Sequence, residues 1–174
     1  MNELDETWAQ MMNEATAKAH VAGQSDVVEY LRLKTFNDSI RAGGVNWLLN
    51  LMSEIAAKLN RNNLQITIED ESPHSFAAGS ATLNGSLRRF RQGVRCLSVE
   101  AGWTRTPNDG FMRGNVLAGA RISHFGIARH NAELILVNGK EAATAWFIID
   151  KNGERVLFDE NHLNKHFQIF LNTI

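Results

Sequence analysis

The chain has 174 residues, 44% apolar and 21% charged, with a formal net charge of −1; this excludes a disordered chain and is long enough to bury a core unaided. A single cysteine excludes an intrachain disulfide and fits a reducing compartment. No apolar run reaches membrane-spanning length, and the acidic start MNELDETW lacks a secretory pattern, so a cytoplasmic protein is expected.

Residues 5–22 read as a first helix. Asp5 can cap it, Trp8, Met11, Met12, Ala15 and Ala19 recur at helical spacing, and Gly23 ends it. Ser25 reads as the next N-cap, with Asp26 and Glu29 in a first turn where the helix dipole favours negative charge. This second helix runs to near Arg41 on a ragged stripe of Val27, Tyr30, Leu31, Leu33, Phe36 and Ile40. Gly43-Gly44 predicts a bend or break, because each glycine costs about 1 kcal/mol against alanine in a helix. A third helix over 45–60 has the cleanest stripe, Leu48, Leu51, Met52, Ile55, Ala56 and Leu59.

The hydrophobic period then changes to two. Leu64, Ile66 and Ile68 alternate with polar residues, as in a strand, and Ser72-Pro73 reads as a break. Asn84-Gly85, Asn138-Gly139 and Asn152-Gly153 are hairpin dipeptides, and Gln92-Gly93 and Asn108-Asp109-Gly110 are looser turn signals. They delimit strands at 76–83, 86–91, 94–105, 111–124, 132–138, 141–150 and 154–157. Segments 134–137 and 145–149 are apolar on both parities and are expected to be covered on both faces. Connections this short make the sheet antiparallel. Asp159 caps a last helix with Leu163, Phe167, Phe170, Leu171 and Ile174 on one face. The predicted fold is α+β: N-terminal helices on a curved antiparallel meander, closed by a C-terminal helix. It forms one domain over 1–174, with a helical part at 1–62, a sheet at 63–158 and a helix at 159–174.

Charge is unevenly spread. Residues 1–87 are net −5, residues 88–129 are net +6, and residues 130–174 are net −2. All eight basic residues of the middle segment are arginine: Arg88, Arg89, Arg91, Arg95, Arg105, Arg113, Arg121 and Arg129. Guanidinium offers forked donors for carboxylate or phosphate, so an anionic ligand or protein partner is one expectation. Internal pairing with the acidic helices is the other, since the two segments nearly cancel.

The strands around the Pro-Asn-Asp-Gly turn focus the site. Apolar residues are odd-numbered over 94–105 and mostly even-numbered over 111–124, so matched faces need a register whose partner numbers sum to an odd value. A sum of about 215 would place Glu100 beside Arg113 and Asn115, and gather Ser98, Glu100, Arg113, Asn115 and Arg121 on one polar face. Such a face suits ligand binding, with Arg113 and Arg121 as forks and Glu100 as orienter or general base. A solvated sheet face with cross-strand ion pairs has the same composition.

Arginines interleaved with Phe90, Trp103, Phe111 and Phe125 also fit a strand-tracking nucleic-acid groove. The absence of lysine in the segment and a pI near 6.6 speak against it. Asp159, His162 and His166 have metal-ligand spacing, but capping explains Asp159 and no third strong ligand follows, so no metal and no cofactor is expected. Cys96 reads as a small buried strand residue. The leading expectation is a non-enzymatic binding or assembly module whose arginine-rich sheet segment engages an anionic ligand or partner; the Trp8–Met11–Met12 stripe of the first helix suits a contact between subunits and suits ordinary intrachain core equally well. A small enzyme using Glu100, Arg113 and Arg121 is the alternative, and nucleic-acid binding comes third.

Overall fold

A computed structural model describes residues 3–112, 114–138, 144–150 and 152–172. Its packing divides the chain into two compact units, Met1–Ala42 and Gly43–Ile174. The division falls inside a helix, not at the 61–63 junction between the helical and sheet segments. No described helix is long and apolar enough to cross a membrane.

The first unit is a helical hairpin. Helix α1, Glu3–Val21, is followed by the start of α2, Ser25–Arg61. Gly23 turns the chain at φ 70°, and the amides of Ala22 and Gln24 return to the carbonyls of Lys18 and Ala19, which closes α1. Ser25 is the first helical residue instead of the cap; the Gln24 carbonyl accepts from the Val28 amide. The proposed cap Asp5 has no described side chain. Met12, Ala19 and Val28 are buried in this unit. Asp38 ties the hairpin together: it accepts from Trp8 Nε1 at 3.0 Å and from Arg41 Nη1 at 2.6 Å, and pairs with Lys34, whose ammonium also sits 5.0 Å from the Trp8 ring centre.

Helix α2 does not break at Gly43-Gly44. The local cost of glycine is outweighed by a tertiary need. A Cβ on Gly44 would run into the side chain of Leu136, and the Gly44 carbonyl accepts from Trp146 Nε1 at 3.0 Å. Within the second unit, Gly44 therefore lets the segment of α2 from Gly43 onward lie close against the sheet.

That sheet has seven antiparallel strands in chain order: β1 Thr67–Ala78, β2 Ala81–Gln92, β3 Arg95–Trp103, β4 Val116–His124, β5 Ala132–Val137, β6 Ala145–Ile149 and β7 Arg155–Leu157. Helix α3, Glu160–Leu171, follows. The protein is thus α+β, with helices at both ends of an antiparallel meander. One sheet face packs on helices. It presents Phe90, Leu97, Val99, Ile122, Leu134, Leu136 and Trp146, buried with Leu48, Met52 and Ile55 of α2 and Leu163 and Phe167 of α3. Phe90 meets Phe167 edge to face at 5.3 Å between centroids.

Several sequence-based expectations are corrected here. Segment 134–137 is buried on one parity only, and in 145–149 Trp146 alone is buried; Ile135, Phe147 and Ile148 are half-buried and Ile149 is exposed. Ser72-Pro73 does not separate two strands. It is a bulge within β1, where the register to β2 shifts between Glu71 and His74. Asn84-Gly85 is not a turn but lies in mid-β2, opposite Trp103 and Gly102. The turn is Gly79-Ser80, between paired Ala78 and Ala81. Gly139 of the Asn138-Gly139 dipeptide and residues 141–143 of a predicted strand lie outside the described residues.

Gly85 is glycine for a steric reason: a Cβ there would collide with the backbone of Ala101 and Gly102. Gly85→Ala is expected to destabilise by about 2–3 kcal/mol, because backbone cannot swing aside as a side-chain tip can. Gly43→Ala, with open space around the added carbon, is expected to stabilise by up to about 1 kcal/mol. Urea denaturation midpoints of the two variants check both signs.

Candidate functional site

The second sheet face carries the polar chemistry. Neighbouring strands lie about 4.8 Å apart, so a flat sheet would separate β1 from β3 by about 10 Å and β1 from β4 by about 14 Å. Yet His74 of β1 reaches Glu100 of β3, with Nε2 and Oε1 2.8 Å apart, and Arg121 Nη2 of β4 donates to the Ala77 carbonyl of β1 at 2.9 Å. The sheet must curl toward this face. Position 85, level with His74 on the intervening strand, has no side chain to stand between them. Phe76, Ala81 and Leu83 form a small buried apolar cluster in the hollow, with Ala78 and Met112 against it.

A lattice of ion pairs crosses the curl. Arg91 Nε donates to Glu69 at 2.9 Å and Arg89 Nη1 to Glu71 at 3.1 Å. Glu71 also meets His74 Nδ1 at 3.1 Å, and Glu100 continues to Arg121 Nη1 at 3.6 Å. Arg121 Nη2 lies 3.7 Å from Glu133 of β5. The hydrogen bond from His74, then that from Arg89, holds the Glu71 carboxyl below its usual range. A continuous path thus runs from Arg89 of β2 through Glu71 and His74 of β1, Glu100 of β3 and Arg121 of β4 to Glu133 of β5, with the Arg91–Glu69 pair beside it.

On the helix-packed face Arg88 does a different job. Nε and Nη2 form a fork on Asp70, at 2.5 and 3.0 Å, while Nη1 donates to the Leu49 carbonyl and Ser53 Oγ of α2, at 2.9 and 2.7 Å. The acids that balance the arginines thus come largely from Glu69-Asp70-Glu71 of β1, not from the N-terminal helices. This triplet was the signal available in the sequence. It stands opposite Arg88-Arg89 and Arg91 only once β1 is recognised as continuing through Ser72-Pro73.

The predicted site residues separate. Glu100 and Arg121 are directly opposed in β3 and β4, and Ser98 opposes Ser123. The register has the expected parity, but it pairs Glu100 with Arg121 and not with Asn115. Asn115 stands before β4 in a left-handed turn conformation, φ 60°. Its place off the strand follows from the 3-10 turn Pro107–Asp109, where Asp109 Oδ2 accepts the amides of Arg105 and Thr106 at 2.9 and 2.8 Å. The connection is longer than a tight hairpin. Arg113 lies outside the described residues.

Beyond the lattice, the same face ends in a groove of about 330 Å³ lined by Arg89, Arg91, Cys96, Ser98, Ser123 and Phe125, with Val94 at its rim. The register builds it: Arg89, Ser98 and Ser123 form one row across β2, β3 and β4, and Arg91 and Cys96 begin the next. Cys96 is half-buried here, not in the core.

Asp159, His162 and His166 do not converge. Asp159 caps α3, accepting from the His162 amide at 3.1 Å, with His162 Nδ1 2.6 Å from its carboxylate. His166 turns instead to His124 of β4, their Nδ1 and Nε2 2.9 Å apart and both rings buried. Burial, followed by neighbouring histidines, lowers each of this pair from 6.5 to about 4. Sequence reading had no access to this contact, because its partners lie on separate elements 42 positions apart.

The fold and its charged, curled face define an α+β protein with a polar concave sheet surface. No protein-family model matches the chain, and neither a curated protein nor a solved structure matches it.

Proposed function

We propose that this protein is a non-enzymatic assembly module that self-associates through its helical hairpin. One observation carries the reading: Tyr30, Leu33 and Phe36 form an apolar row on α2, each 59 to 64% exposed. Spaced three apart, they span about 120° of helix surface. Leu31, Lys34 and Asp38 lie on the half-buried face that closes on α1. Met11 of α1 is also more than half exposed, whereas Met12 is buried and Trp8 is bonded to Asp38. The contact surface therefore moves from the α1 stripe expected from sequence to the outer face of α2. A contiguous apolar surface on a hairpin of about 40 residues, the size below which chains usually need help to hold a core, fits a second copy laid against it.

The enzyme alternative loses support because Glu100 is engaged on both oxygens, by His74 and Arg121. A strand-tracking nucleic-acid groove finds less support, since Arg88 and Arg121 meet Asp70 and Glu100 and the acidic run Glu69-Asp70-Glu71 stands beside Arg88, Arg89 and Arg91. The lone cysteine remains in keeping with a cytoplasmic setting.

Light scattering on eluting protein tests the reading. The wild-type chain is expected to run as an oligomer at about 100 µM, where a micromolar interface is filled. Leu33→Glu with Phe36→Glu should run as a monomer with an unchanged far-UV circular dichroism spectrum. A wild-type mass of one chain at that concentration would end the proposal.

A further inference from the structure

We infer that the groove at the end of the curled sheet face binds a small anion, a carboxylate or a phosphate, carried on an apolar body. The inference rests on which groups line the groove and which of them are free.

Of the two arginines, Arg89 gives Nη1 to Glu71 and Arg91 gives Nε to Glu69. Among the described residues, their other guanidinium N–H groups make no hydrogen bond. Ser98 and Ser123 face each other across β3 and β4, half-buried, and their hydroxyls are likewise unengaged. The acids that fix the arginines stand on β1, on the far side from the groove, and no carboxylate lines it. The groove therefore gathers forked cationic donors and neutral hydroxyls with no anion of its own. That is the inventory for accepting an oxyanion, and Glu69 and Glu71 hold the guanidiniums in place beforehand.

The rim fixes the rest of the ligand. Phe125 and Val94 are 78% and 92% exposed at the groove mouth. An aromatic face and a branched aliphatic beside an anion pocket favour a ligand whose charged group is attached to an apolar or aromatic part. The volume, about 330 Å³, admits a single small group and not a folded chain.

Cys96 makes the test direct, because it is the sole cysteine and sits in the groove. Its alkylation by iodoacetamide, which is uncharged, is followed at fixed pH with rising phenyl phosphate or benzoate. Benzyl alcohol and sodium chloride at matched ionic strength serve as controls. Saturable slowing by at least threefold is expected from one or both anions and not from the controls. Greater protection by phenyl phosphate identifies phosphate as the natural group, and greater protection by benzoate a carboxylate. Arg91→Gln should abolish protection. Ser123→Val, which leaves both ion pairs intact, should also weaken it if Arg91→Gln proves to disturb the sheet. An alkylation rate unaffected by either anion up to about 20 mM, well above a millimolar dissociation constant, or slowed equally by sodium chloride, would overturn the inference. The result does not depend on self-association, since the groove and the hairpin row are read out separately.

Discussion

Lowering the pH from 7 to 5 is expected to remove several kcal/mol of stability from the sheet unit, before the bulk of the carboxylates titrate. His124 and His166 are held neutral in the fold, each lowered from 6.5 to about 4 chiefly by burial. In the unfolded chain both return to 6.5. The unfolded state therefore binds more protons between those values, and stability is complete above pH 6.5 and falls as the pH drops toward 4. By pH 5 the loss is about 2 kcal/mol per ring. The groups around the pair do not oppose this: His130 is 6.3 Å from His124 between ring centroids, Phe158 is 6.4 Å from His166, and His162 and Lys165 act as further positive neighbours. A second imidazolium would set two N–H groups against each other across 2.9 Å. Glu71, Asp109 and Asp159 are lowered by their hydrogen bonds, so their contribution is present above the ordinary carboxylate range and is lost only below it. The two windows are separable. Melting temperature between pH 8 and 4.5 should fall steeply from 6.5 downward. In His124→Leu with His166→Leu, the curve should stay flat until the carboxylate range. A wild-type melting temperature unchanged between pH 7 and 5 would refute this account.

Arg88→Ala is expected to cost about 3 kcal/mol, while Arg91→Ala should leave stability close to wild type. The two residues are three apart on one strand and both meet a β1 acid, but on opposite faces. Arg88 is mostly buried and serves three groups at once: the Asp70 carboxylate, the Leu49 carbonyl and the Ser53 hydroxyl. Truncation leaves the α2 acceptors without their charged donor in a partly buried place, where one lost partner strands the other. Arg91 and Glu69 are each about half exposed, and water replaces an exposed pair with little change. Arg88→Lys should recover only part of the loss, since an ammonium cannot fork onto Asp70 and reach α2 together. Guanidinium chloride would screen the ion pairs under study, so urea midpoints are the suitable measurement.

The class of fold was legible because period three-to-four gives way to period two near residue 64, and short connections exclude parallel crossovers. The errors share one physical cause. Gly43-Gly44 and Asn84-Gly85 were weighed for local conformation, as helix breaker and turn former. At Gly44 and Gly85, however, glycine is required by close approach of another element, and nothing local announces that. The parity of the β3–β4 register followed from which residues were apolar. The register itself needed the length of the irregular segment before β4, which composition does not give. That is why Glu100 meets Arg121 and not Asn115. The pairing of His124 with His166 joins two elements whose packing only the assembled core decides.

The meander also leaves its two outer strands with unpaired backbone groups. A sheet whose strands follow chain order has two open edges, and each invites another molecule to add a strand. One edge, β1, is studded with Glu69, Asp70 and Glu71 and interrupted by Pro73, which has no amide hydrogen to offer. The other, β7, is only three residues long. Charge and proline at one edge and short length at the other both oppose strand addition, which is thereby discouraged at both edges of the sheet.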